Sequence, residues 1–104
     1  MIRRLILSRR AEADLRAIWL YSFTTWGEAQ ADRYLGELEV RLKACQAAPE
    51  RGKRRDELRP GYWSLLVRRH VAFYTFDDTE VRIQRVLHGS MDPDMHIEED
   101  EPDA

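Results

Sequence analysis

The residues best equipped for chemistry lie in the last third of this sequence. Arg68, Arg69 and His70 stand at one predicted strand junction, Arg82 and Arg85 on the predicted last strand, His88 at its end, and Tyr74 opposite them. Such side chains suit metal-free RNA cleavage, which needs groups that move protons and neutralise the charge building on phosphorus. The same arginines serve to cap a small sheet or to meet an acidic partner, and that plainer reading is the stronger one. His70, His88 and His96 are the only histidines, and none stands at a ligand spacing with Asp or Glu. Ser64 and Ser90 lack a G-x-S-x-G setting. The single cysteine, Cys45, falls at helical spacing with Leu38 and Leu42, as a buried structural thiol would, and excludes an intramolecular disulfide. Gly27, Gly52, Gly61 and Gly89 are scattered singly and form no phosphate-binding loop. Glu37 and Glu39, two apart on a predicted helix, point to different sides. No metal and no cofactor is expected.

The elements that must position these residues are legible from periodicity. Residues 2–7 alternate weakly as a first strand. Ser8 then offers a hydroxyl to a helix start, and Glu12 and Asp14 sit where the helix dipole favours acids. Ala11, Leu15, Ile18, Trp19, Ser22 and Trp26 recur at spacings of three and four, predicting a helix over about 9–26. Gly27 closes it, and the period restarts with Ala31, Tyr34, Leu35, Leu38, Leu42 and Cys45, so the two helices fold back as a hairpin. Trp19, Trp26, Tyr34 and Leu38 are expected at its seam with a sheet. Pro49 and Gly52 end the second helix, and a basic connector over 50–61 leads through Pro60-Gly61 to strands at about 62–68, 71–76 and 81–88. Short links make these strands antiparallel neighbours. The expected fold is α+β, in the order β-α-α-β-β-β, with a helical hairpin packed on a small antiparallel sheet.

At 104 residues, with 43% hydrophobic and 35% charged residues, the composition is that of one globular domain. No apolar run reaches the ~20 residues of a membrane span, and the first residues lack a signal core and cleavage site, which predicts a cytoplasmic protein without membrane contact. The net charge of −2 hides an asymmetry: residues 1–89 carry 17 Lys+Arg against 12 Asp+Glu, or +5, and residues 90–104 carry seven acids and no base, or −7. Residues 1–97 therefore read as the domain and 98–104 as an acidic, solvated tail.

Several stretches taken in order resemble the ParE toxins of the RelE/ParE superfamily. They are Ser8–Ile18, Trp19–Tyr21, Trp26-Gly27, Gln30–Tyr34, Arg55–Gly61, Arg69–Tyr74 and Arg85–Asp92. The resemblance implies the topology above, a ParD-like antitoxin, DNA contact only through that antitoxin, and DNA gyrase as the target, inhibited by binding without catalysis. It also bears on RelE-like mRNA cleavage, the alternative function. The positions that carry catalytic Lys, Arg and Tyr in such nucleases here hold Trp63, Leu65, Val71, Ser90 and His96, and Leu or Val cannot supply the missing charge. The chain departs from the ParE pattern at Ser90, where a basic residue is common. Residues for target binding are expected among Arg59, Arg68, Arg69, Arg85, His88 and Met91. Trp63, Leu65, Val67, Val71, Phe73 and Ile83 alternate in one register and Leu66, Ala72, Tyr74, Phe76 and Val86 in the other, so one hairpin leaves a sheet face uncovered. An acidic antitoxin segment is expected there, meeting Arg51, Lys53, Arg54, Arg55, Tyr74 and Phe76.

Overall fold

The computed structural model describes residues 2–97; the acidic tail expected at 98–104 lies outside them. The chain runs β1 (Arg4–Leu7), α1 (Arg9–Trp26), α2 (Glu28–Ala47), a 3-10 turn (Pro49–Arg51), β2 (Lys53–Arg54), β3 (Trp63–Val67), β4 (His70–Phe76), β5 (Glu80–His88) and α3 (Pro93–His96). This is the expected α+β order, with β2 and α3 added. The sheet order is β1-β5-β4-β3-β2. Strands β2 to β5 are antiparallel neighbours, but β1 pairs in parallel with β5, Leu7 opposite Ile83, so the sheet is mixed. No helix among the described residues is long and apolar enough to cross a membrane.

Ser8 shows how local chemistry sets the first helix. Its hydroxyl accepts from the Ala11 N–H at 3.0 Å, satisfying one free donor of the first turn, and donates to the Gln84 carbonyl at 2.7 Å. Phe73 faces Arg85 and Tyr74 faces Ile83, so Gln84 is the surplus residue of a bulge, and its carbonyl is taken by the helix cap. Because Ser8 is fully buried, Ser8→Ala is expected to lower stability by about 1–2 kcal/mol, read as a lower thermal midpoint. Gly27 joins the helices at φ 97°, where a side chain is disfavoured, and its N–H donates to the Phe23 carbonyl at 2.9 Å.

The hairpin packs on one sheet face. Ala11, Ile18, Leu38, Leu42 and Cys45 meet Val67, Ala72, Tyr74, Val81, Ile83 and Val86. Burial raises the Cys45 thiol pKa, which keeps it a packing residue. The expected seam needs correction. Leu38 is buried and Tyr34 packs beside the core, but Trp26 is 61% exposed. Trp19 clasps the two helices from outside, stacking on Phe23 at 5.1 Å and donating Nε1–H to Asp32 at 3.0 Å.

The two sheet faces also divide differently from the alternation. Trp63 pairs with Tyr74 and Leu65 with Ala72, so these four share the hairpin face, and the bulge brings Ile83 and Val86 onto it although they lie three apart. Val71 and Phe73 face the other way, where Tyr62, Phe73 and Leu87 form a second small core covered by Leu58 and Ile97. The chain itself therefore covers much of the second face, although Leu66 stays 62% exposed.

Candidate functional cleft

The turn between β3 and β4 consists of Arg68 and Arg69 alone. Arg68 has φ 53°, a left-handed conformation that costs a non-glycine residue free energy, and this places its side chain toward α2, where it pairs with Glu37. The Arg69 carbonyl accepts from the Gly89 N–H at 2.7 Å, tying this turn to the one after β5. Arg69 and His88 are thereby held beside each other by backbone.

These residues line a cleft of about 560 Å³ between α1, the start of α2 and the two turns. Its wall includes Tyr21, Trp26, Tyr34, Arg68, Arg69, His70, His88 and Met91. The floor is a short chain of rings. Tyr34 Oη lies 2.6 Å from His70 Nδ1, and the rings of His70 and His88 meet edge to face with centroids 5.3 Å apart. The Arg69 N–H donates to Tyr34 Oη at 3.4 Å, which leaves the phenol proton for His70 Nδ1 and the ring proton of neutral His70 on Nε2. His88 Nδ1 accepts from the Ser90 N–H at 3.1 Å and lies 2.8 Å from the Ser90 hydroxyl. Ser90 thus orients the imidazole.

Burial pushes the His70 pKa below its ordinary 6.5, and His88 and Arg69 push it the same way. Burial also raises the Tyr34 pKa. A histidine with a depressed folded-state pKa binds more proton when unfolded, so its contribution is whole above 6.5 and is lost as pH falls below it. The thermal midpoint is expected to fall as pH drops from about 7 through the ordinary histidine pKa, with a flatter profile in His70→Gln. Parallel profiles for the two proteins would show that another group titrates.

Of the residues expected to touch the target, Arg68, Arg69, His88 and Met91 meet in this cleft. Arg59 does not line it and sits in the connector, where its N–H donates to the Arg55 carbonyl at 3.3 Å. Arg85 is behind the cleft, donating to both Asp14 oxygens at 2.8 and 2.9 Å and to the His96 carbonyl at 2.6 Å. It is a clasp between α1, β5 and α3. The residues expected for the antitoxin divide as well. Arg51, Lys53 and Arg54 are exposed, and Arg55 is half-buried with its guanidinium 5.5 Å above the Phe73 ring. Arg54 pairs with Asp56 at 2.8 Å and Arg55 with Glu57 at 2.7 Å, so part of this charge is answered internally. Tyr74 is 1% exposed, which removes it from any contact surface, whereas Phe76 packs beside the core and stays partly exposed. Tyr34 and Trp26 were missed as cleft residues because their helical spacing matches that of core positions, and Tyr21 because it falls outside that stripe.

The family described as "ParE toxin of type II toxin-antitoxin system, parDE" matches residues 5–93. The chain is 38% identical over 98 residues to "Toxin ParE1" of Mycobacterium tuberculosis, covering 93% of this chain and 100% of that one. It is 42% identical over 91 residues to "Toxin ParE1" of Caulobacter vibrioides, covering 88% and 94% respectively. It is 34% identical over 88 residues to "Toxin ParE" of Escherichia coli, covering 84% and 85%. The solved structure "Chromosomal ParDE TA system from P. aeruginosa" superposes with a TM-score of 0.74 at 24% identity over 84% of this chain and 96% of that one, a likeness of fold.

Proposed function

Because this chain belongs to the ParE toxin family of type II toxin–antitoxin systems, we propose that it acts in the cytoplasm by binding DNA gyrase without catalysis and is neutralised by a ParD-like antitoxin. The observation that carries this reading is the cleft, where Arg69, His88, Trp26 and Met91 present charged and apolar side chains together. Arg, Trp and Tyr are the side chains that dominate binding hot spots. The nuclease alternative gains nothing from the sheet: Trp63 and Leu65 pack against the hairpin core, and Val71 packs in the second core. The domain is taken as 1–97, with the acidic 98–104 outside it. Arg51 and Lys53, on the connector, suit the acidic part of the antitoxin.

The test uses purified gyrase in supercoiling and DNA-cleavage assays with Arg69→Ala, His88→Ala and Met91→Ala. Inhibition should weaken about tenfold or more in at least one variant while the thermal midpoint stays within a few degrees. Full inhibition by all three would place the target contact elsewhere. Cleaved mRNA and arrested translation in cells, with gyrase unaffected, would replace gyrase binding by ribonuclease action.

A further inference from the structure

The cleft holds an arrangement of donors and rings that binding to a protein target leaves unexplained. Both imidazoles spend Nδ1 inside the protein, His70 on Tyr34 and His88 on Ser90, and the Nε2 atoms have no partner among the described residues. Beside them the Arg69 guanidinium makes no ion pair or hydrogen bond among the described residues. The two acids nearby are already answered. Asp14 is clasped by Arg85 and the Val86 N–H, and Glu37 by Arg68. Above this floor the rings of Tyr21 and Trp26 are 67% and 61% exposed, with no ring partner among the described residues.

We propose that this cleft binds a nucleotide, its phosphate held by Arg69, His70 and His88 and its base stacked on Trp26. A phosphate offers oxygens in several directions and so suits three donors arriving from two turns, whereas a planar carboxylate offers two. An open aromatic face is what a base stacks on, and the volume falls within the roughly 300–1,000 Å³ of small-molecule sites. The ligand is a free nucleotide or the phosphorylated end of a single strand. The assignment concerns the isolated chain and holds whether or not gyrase is the target.

The experiment titrates the full chain, without gyrase, with adenosine monophosphate, adenosine, inorganic phosphate, a 5′-phosphorylated single-stranded tetranucleotide and an acidic heptapeptide. Amide chemical shifts and tryptophan fluorescence report binding. The monophosphate should bind about tenfold or more tightly than adenosine or phosphate alone, with shifts centred on His70, His88 and Trp26. A tetranucleotide that binds more tightly still identifies the strand end as the source. Arg69→Ala and Trp26→Ala should each weaken binding about tenfold, and Arg69→Lys, which keeps the charge without the planar fork, should weaken it less. Trp26→Gln, which keeps a long side chain without a ring, serves if Trp26→Ala folds poorly. Equal affinity for phosphate and the monophosphate, no saturation by about 10 mM, unchanged affinity in the variants, or binding of the peptide alone would each overturn the proposal.

Discussion

Arg85→Ala is expected to lower stability by about 3–5 kcal/mol, because it leaves the Asp14 carboxylate buried against β5 without its cation. Both side chains of the pair are only about one-sixth exposed, 16% for Arg85 and 15% for Asp14. Asp14 also accepts from the Val86 N–H at 2.9 Å, and Arg85 carries the His96 carbonyl, so one substitution loosens three elements. At roughly 4–8 °C per kcal/mol for a domain of this size, the thermal midpoint should fall by about 12 °C or more. Asp14→Ala should behave alike, and the double variant Asp14→Leu, Arg85→Met should recover much of the loss, since two apolar groups leave no buried charge. Loss of toxicity in Arg85→Ala with an unchanged midpoint would return Arg85 to the contact surface.

Tyr74 carries the next largest effect. It is among the largest side chains fully buried, and its hydroxyl donates to the Pro49 carbonyl at 2.6 Å. Burial, with Cys45 alongside, raises its pKa well above that of an ordinary phenol, so it remains a donor at any working pH. Tyr74→Ala should cost about 3–5 kcal/mol, measured by denaturant unfolding. The neighbouring Gly52 shows how tightly the site is closed. A Cβ there would overlap the Tyr74 hydroxyl and stand 2.9 Å from the Ser64 carbonyl oxygen. Gly52→Ala should therefore cost about 1–3 kcal/mol, and Tyr74→Phe in the same chain should recover part of it. Strict additivity of the two substitutions would mean that the connector had moved away.

Much of this fold could be read along the chain because its signals are local. Ser8, Gly27 and Pro49 punctuate the helices, and α1 spans the expected residues. Signals that depend on a distant partner were not readable. The two residues of β2 become a strand only because Ser64 and Trp63 lie opposite them. The two-residue turn at 68–69 sets odd-numbered residues of β3 opposite even-numbered ones of β4, which is why simple alternation grouped Val71 and Phe73 with the wrong neighbours, and the bulge at Gln84 shifts the face of the rest of β5. Within the cleft, His88 and Met91 could be picked out by their place at the end of the last strand, and Arg68 and Arg69 as basic positions that the fold does not require. Arg85, chosen for the same reason, proved to belong to Asp14, 71 positions earlier, and no periodicity reports such a pairing.

The parallel pairing of β1 with β5 also bears on the order of synthesis. Residues 4–7 are translated long before residues 80–83, beside which they lie in the sheet. The helical hairpin, built from neighbouring segments, can assemble early, while β1 and the Ser8 cap wait for a strand not yet made. His88 and Gly89, which complete the cleft, follow that strand. A nascent chain thus carries no finished cleft until β5 and the turn after it have been made.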